Sequence, residues 1–506
     1  MMKKTIMTSG AVVLLVPLLL VSHCYGDSKS RSLELLKKQY AKEHELFAAE
    51  MEKLAGFCEA NSFFTDAERI RKRAGHSAET LAAFDNLPSA VLPPIPKNLG
   101  PVAAQWQTKL RSLDEEYARK LYLLARRAIN QRHASFAFQL VRELVYHNPD
   151  HKFGRELLGF VRYEDEWTSP FSSRMRPLFV DHSEFGWIPK INVARYEQGE
   201  RYFDGNWMSV EREATLRKVF RNGWEIETEH FSIKTNHSLE KGVEIGRQLE
   251  IYHRFFMREF AAFFNTPEQI QKLFGGGATS RGTQRDRHRI LYFANQKDFA
   301  EALKAENQII EIATGFYLPR KRTSYFYYDD DPEKVETSKE TMFHEVTHQL
   351  LGESSRRNVD VGEHHNFWVI EGIACYMESF EIDKHGAFKI GDPKHPRIYW
   401  AKQKAIKEEF YIPMERYFLF GKKEFQAAPN NEVLHAYYSQ STGLVHFFML
   451  YKDGIYKDEF IDYLSQVYSP IDRVRYKPDS LEKLTEVPFS ILDQQYKSYL
   501  ESLETQ

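Results

Sequence analysis

One five-residue segment, His344-Glu345-Val346-Thr347-His348, narrows what this chain can fold into more than any other. Two histidines four positions apart lie one turn above another on the same face of a helix. Met342, Phe343 and Val346 give that helix an apolar side to bury. Thr337 and Glu340 read as a capping box at its start, and Gly352 as its stop. In this geometry both imidazoles can reach one Zn2+ at about 2.0–2.1 Å. Glu345 then faces the open coordination position, placed to take a proton from an attacking water.

So short a motif also occurs on ordinary surface helices, and the segment that follows is what sets this one apart. It reads Trp368-Val-Ile-Glu371-Gly-Ile-Ala374-Cys-Tyr376-Met-Glu378 and is also helical in pattern. A catalytic zinc needs a third protein ligand and an open fourth position. Glu371 offers a carboxylate from this second helix, and the small Gly372 and Ala374 allow helices to approach closely. His364 and His365, in the connecting loop, are alternative third ligands.

The two segments together resemble the gluzincin metallopeptidases, especially the aminopeptidase and peptidase MA-like branch, over roughly residues 226 to the C-terminus. The whole chain resembles secreted bacterial proteins that carry such a domain. By this resemblance His344, His348 and Glu371 hold one zinc per chain and Glu345 is the general base. Glu378 is similar to the family's carboxylate that orients a metal-bound histidine; an exposed helix glutamate is the plain alternative. The family's oxyanion donor is a tyrosine opening a Tyr-x-x-Gly-like helix, which here falls within Ala436–Gly443. The apolar run Leu444, Val445, Phe447 and Phe448 sets the phase in favour of Tyr438, with Tyr437 as the alternative and His435 and His446 next. A core tyrosine is the ordinary reading of either. Metzincins are excluded, because Leu351 and Ser354 stand where that family has Gly and His. The Gly-x-Met-Glu-Asn strand by which aminopeptidases grip a free amine is missing: the strand-like segments read Gly315-Phe-Tyr-Leu-Pro and Tyr325-Phe-Tyr-Tyr-Asp. An endopeptidase that binds extended peptide along an edge strand is therefore expected.

Residues 1–26 read as a secretory signal, with Lys3 and Lys4 ahead of the apolar Ala11–Val21 and small residues at Cys24 and Gly26. An uncleaved anchor is the alternative. The expected location is periplasmic or extracellular, with no membrane span after cleavage. The mature chain keeps Cys58 and Cys375, expected as two inert buried thiols. The charge balance, 69 basic against 71 acidic residues, leaves no global field for nucleic acid.

The expected fold is α+β and mainly α. A zincin-type catalytic domain occupies 225–506, a small mixed sheet with the active-site helix and then a helical subdomain. Ahead of it lie a helical region with a tetratricopeptide-like hairpin (27–161) and a Trp-rich small β module (162–224). In the helical region Leu33, Leu36, Tyr40, Phe47, Met51 and Leu54 recur at helical spacing. The basic run Arg69–Arg73 reads as a solvated helix face, and the prolines from Pro88 to Pro101 as a stiff linker. Trp224–Thr235 reads as one strand, Leu239–Phe264 as a long helix, and Gly275–Arg289 as a basic surface loop. Partners follow: a peptide or protein substrate, and an envelope protein met through the N-terminal helices. The rival reading is a non-catalytic envelope scaffold whose zincin domain is a relic; the intact Glu345 argues against it.

Overall fold

The computed structural model describes residues 28–275, 286–304, 314–354, 361–469 and 478–505. The segment expected as a leader (1–26) and most of the expected basic glycine loop (276–285) lie outside the described residues. No helix among the described residues is long and apolar enough to cross a membrane.

Helices dominate, with small sheets between them. The N-terminal region folds as α1 (Ser28–Ala60), α2 (Phe64–Ala74), α3 (Ala78–Asp85), the hairpin α4 (Pro101–Asn130) and α5 (Ala134–His147), and α6 (Lys152–Leu157). Leu33, Leu36, Phe47, Met51 and Leu54 are buried along α1, as their spacing requires. Ala125, Ala128 and Ala137 are fully buried where α4 and α5 meet. The basic run is spent on carboxylates: Arg71 pairs with Glu52 and Glu59, and Arg73 with Asp114 at 2.8 Å. The core of this region also takes in Ala261, Ile270 and Phe274. It therefore extends past the boundary at 161 into α11 (Ala261–Phe264) and α12 (Pro267–Phe274).

Residues 161–217 form three hairpins, each followed by a short helix. They are β1–β2 (Val161–Tyr163, Glu166–Thr168) with α7 (Pro170–Met175), β3–β4 (Phe179–His182, Gly186–Pro189) with α8 (Val193–Glu197), and β5–β6 (Glu200–Phe203, Asn206–Ser209) with α9 (Val210–Arg217). Trp167, Trp187 and Trp207 fall at steps of twenty residues, each second in its strand. Asp204 (φ +46°) and Gly205 (φ +79°) make the tight turn that joins β5 to β6. Ser169 and Ser209 cap the helices that follow. Trp167 is a core plug, whereas Trp187 and Trp207 are only half-buried. Arginines pack on the aromatic rings within and between these units: Arg217 over Phe203 at 4.4 Å, Arg201 over Phe185 at 4.5 Å and Arg195 over Trp207 at 3.9 Å.

The segment expected as one strand is a hairpin, β7 (Trp224–Glu227) and β8 (Phe231–Thr235). Its apolar residues dictate the turn. Ile226 and Phe231 are five positions apart, an odd step, so a single strand would point them to opposite faces. Folding back at 228–230 sets Ile226 opposite Ile233 and Trp224 opposite Thr235, and all of them are buried. The hairpin belongs to a five-stranded sheet in the order β10-β11-β9-β8-β7, with β9 (His288–Phe293), β10 (Gly315–Leu318) and β11 (Thr323–Tyr327). The strands β8, β9 and β11 run parallel, and β7 and β10 are antiparallel edges. The helices α10 (Leu239–Glu259) and α13 (Gln296–Leu303) make the crossovers. Both faces of β11 are covered, and all five of its residues are buried.

The motif helix α14 (Val335–Glu353) packs beside β10, and α15 (Phe367–Met377) packs on α14. Two expected boundaries are corrected. The helix starts before Thr337, because Asp331 and Pro332 open a short 3-10 turn that feeds directly into it. Thr337 is thus inside the helix, and Glu340 reaches His395 at 3.2 Å rather than a cap. Gly352 is helical too, since Glu353 is held by His288 at 2.8 Å and the helix runs on to reach it. The chain continues through β12 (Glu381–Ile382), β13 (Phe388–Lys389) and α16 (Pro396–Lys402). It ends with α17 (Met414–Tyr417), α18 (Lys422–Gln426), α19 (Asn431–Leu450), α20 (Lys457–Val467), α21 (Leu481–Thr485) and α22 (Phe489–Ser502). Asp85 ties the N-terminal helices to this half: its carboxylate accepts from Arg142 and Arg258, both at 2.7 Å, and from the Phe388 N–H at 2.9 Å.

Candidate metal centre

The back of α14 is fixed before its front is presented. Tyr252 of α10 stacks on Phe343, ring centroids 4.5 Å apart, and donates to the Phe343 carbonyl at 3.2 Å. Gln349 accepts from Ser324 Oγ at 2.8 Å and donates to Glu353 at 3.0 Å. With that face held by α10 and the sheet, His344, Glu345 and His348 are left on the partly open side.

The two imidazoles converge, with Nε2 to Nε2 at 3.2 Å. Glu371 Oε2 lies 3.6 Å from His344 Nε2 and 3.9 Å from His348 Nε2. Ligands at about 2.0–2.1 Å in a tetrahedron are separated by about 3.3–3.4 Å, so three atoms spaced this way fit one zinc-sized ion. The donor set, two imidazole nitrogens and one carboxylate, suits a divalent transition metal.

Two anchors put Glu371 there. At the start of α15, the Asn366 and Phe367 N–H groups donate to the Phe418 and Phe420 carbonyls at 2.9 and 3.1 Å. Further along, Gly372 lets the helix press against α19: a Cβ there would lie 2.6 Å from the Ser441 carbonyl oxygen. The same close approach carries Tyr438 toward the centre, near enough for its phenol to feel the charge of Glu371. Burial and then the Glu371 charge push the Tyr438 phenol up, so it stays protonated and able to donate. Tyr437 points elsewhere, into the rings of Phe410, Phe420 and Phe425.

Glu378 is buried, and its Oε1 accepts from His344 Nδ1–H at 2.8 Å. Burial would raise this carboxyl, but the His344 and Arg397 contacts prevail and hold it down at about 2. For His344 too, burial opposes protonation; Cys375, Glu371 and Glu378 outweigh it and hold the imidazole well above its ordinary value. Burial lowers His348. Carboxylates thus crowd an imidazole pair, an arrangement that favours either a protonated His344 or a bound cation. Glu345 stands to one side, its Oε2 accepting the Tyr317 N–H of edge strand β10 at 2.9 Å. A strand residue's N–H and C=O point the same way, so the Tyr317 carbonyl also faces out from the free edge.

The other candidates are not brought here. His364 is exposed, and His365 accepts from Asn366 Nδ2 at 3.1 Å. His435 is exposed beside Trp400. His446 is buried, with its Nε2–H on the Gly391 carbonyl and Nδ1 accepting from Tyr499, both at 2.9 Å. Sequence reasoning missed Arg397, which no local pattern marks, and the Tyr317 N–H. Cys58 and Cys375 are free and buried, as expected, and helical phase sets Cys375 between Glu371 and Glu378, 3.9 Å from His344 Nδ1.

A second group, His230, Glu250 and His253, also gathers ligand-type atoms. Its geometry is that of a hydrogen-bonded stack. His230 Nδ1–H donates to Glu250 at 2.7 Å, and the His230 and His253 rings stack 3.8 Å apart, so their in-plane lone pairs run side by side instead of converging. Against known proteins, the chain matches no family model and no curated sequence.

Proposed function

We propose that this chain is an exported zinc metallopeptidase of the gluzincin type, cleaving peptide bonds within extended substrates. The observation that carries the reading is the convergence of His344 Nε2, His348 Nε2 and Glu371 Oε2, with Glu345 alongside on the free edge of β10. His344, His348 and Glu371 would hold the ion, and bound zinc would supply Lewis-acid polarisation of the scissile carbonyl and the attacking water. Glu345 accepts the proton of the attacking water and passes it to the leaving amine. Tyr438 donates to the oxygen on which negative charge develops. The outward Tyr317 carbonyl is an acceptor for a substrate N–H, which orients an extended peptide along β10. No carboxylate from β10 or β11 stands beside Glu345 to grip a free amine, which supports internal cleavage. The leader-like residues 1–26 support export, and the N-terminal helices offer the surface for an envelope partner.

The test is to measure zinc content and follow cleavage of an unfolded protein such as casein. Glu345→Gln keeps stoichiometric zinc and loses cleavage. Undiminished cleavage by that variant would refute the assignment, and a wild type that binds zinc yet cuts nothing would favour the scaffold.

A further inference from the structure

The carboxylate that orients His344 is itself held in a clamp. Arg397, in the first turn of α16, donates from Nε to Glu378 Oε2 at 2.7 Å and from Nη2 to Glu378 Oε1 at 3.0 Å. This is the paired geometry that the planar guanidinium provides and an ammonium cannot. Oε1 of the same carboxylate receives the His344 Nδ1–H at 2.8 Å.

We infer that Arg397 is a positioning residue of the metal centre, setting its affinity for a divalent transition metal through Glu378 and His344. The inference rests on the proposed zinc site and adds a residue to it. A terminal carboxyl torsion is soft, so one hydrogen bond from His344 would leave Glu378 free to rotate. Two bonds from a rigid fork fix the plane of the carboxylate. Oε1 then stays on His344 Nδ1, the proton stays on that nitrogen, and the Nε2 lone pair points toward His348 and Glu371. Arg397 also places a positive charge behind the second carboxylate of the pocket. If Glu378 swung away, the nearest remaining neighbour of Nδ1 would be the Cys375 thiol at 3.9 Å, a weak partner. The start of α16 is held on its other side by His395, Nε2 to Glu340 at 3.2 Å, so the clamp spans α14, α15 and α16. Arg397 is only partly buried, so its replacement leaves no sealed cavity.

The experiment is zinc affinity by chelator competition on the full-length protein, with unfolding in EDTA as the control for structure. Arg397→Ala is expected to bind zinc roughly 10–100-fold more weakly while still unfolding cooperatively in EDTA, at a somewhat lower midpoint because the buried Glu378 loses its partner. Arg397→Lys, a point charge without the fork, should fall between, and added guanidinium ion should restore part of the loss in Arg397→Ala. Glu378→Gln should weaken binding as much, and Arg397→Ala in that background should add little, because the two act in series. The histidine 15N shifts of wild type should place the His344 proton on Nδ1, and those of Arg397→Ala should report a mixture of tautomers. Wild-type zinc affinity in Arg397→Ala, or full additivity with Glu378→Gln, would overturn the inference alone. A wild type that takes up no zinc would overturn the site and the inference together.

Discussion

Where the N-terminal helices meet α20, two adjacent carboxylates lie in its first turn, Asp458 half-buried and Glu459 buried. Asp458 accepts from the Ser135 N–H at 3.0 Å and its hydroxyl at 2.7 Å. Glu459 pairs with Lys29 at 3.5 Å, and its side chain is 7 % exposed. Burial, and next the Asp458 charge, push Glu459 up from 4.5 to about 7. The folded protein therefore holds that proton more tightly than the unfolded chain. Its contribution is full below the ordinary pKa and is lost as pH rises toward 7. At 1.36 kcal/mol per unit, the loss is about 3 kcal/mol by pH 8. Glu459→Gln removes the ionisation and keeps the shape. Giving up the Lys29 pair costs under about 1 kcal/mol, so the variant should be about 2 kcal/mol more stable than wild type at pH 8 and nearly equal at pH 4. Urea midpoints at both pH values, in EDTA so that metal linkage does not enter, measure this. A gain of the same size at both pH values, or no gain at pH 8, would refute the reasoning.

Three further outcomes are expected. His344→Ala and His348→Ala should each lose stoichiometric zinc by elemental analysis; a full equivalent retained in the double variant would remove these residues from the site. Tyr438→Phe should lower kcat by roughly 10²–10³ with KM, zinc and Tm little changed, whereas Tyr437→Phe, a core ring, should turn over normally. Gly372→Ala should cost about 1–3 kcal/mol in thermal unfolding, because its Cβ would meet the Ser441 backbone at 2.6 Å and backbone cannot step aside; an unchanged Tm would show that α15 and α19 are less tightly seated.

Local pattern made some of this structure legible, and its failures have local causes. The i, i+4 spacing of His344 and His348 predicts a shared helix face, and their nitrogens do converge. The strand-like segment at Gly315 is the strand Gly315–Leu318, and the one at Tyr325 belongs to a strand that starts two residues earlier, Thr323–Tyr327. The capping box failed because the Asp331–Pro332 turn starts α14 earlier than Thr337 could. The hairpin at 224–235 was misread because its turn residues, Thr228 and His230, are polar like the residues facing solvent on either side. Arg397 was invisible for a different reason: its clamp on Glu378 joins helices that only tertiary packing brings together. The packing of α11 and α12 on the N-terminal helices was invisible for the same reason, since they join a core begun far upstream.

The twenty-residue step of Trp167, Trp187 and Trp207 has a consequence for inheritance. Each hairpin pairs in its own register, the first also bridged to Ala90, and Ser169 and Ser209 cap the helices that follow. A stretch of gene encoding one unit can then be copied or dropped while β7 and β8 keep their pairing. An insertion of any other length would slide Arg201 off Phe185 and Arg195 off Trp207. Among descendants of this chain, the segment ahead of the sheet should therefore vary in whole units, and α10, which receives Asp181 on Arg247 and Arg201 on Glu240, sets how many of them find a seat.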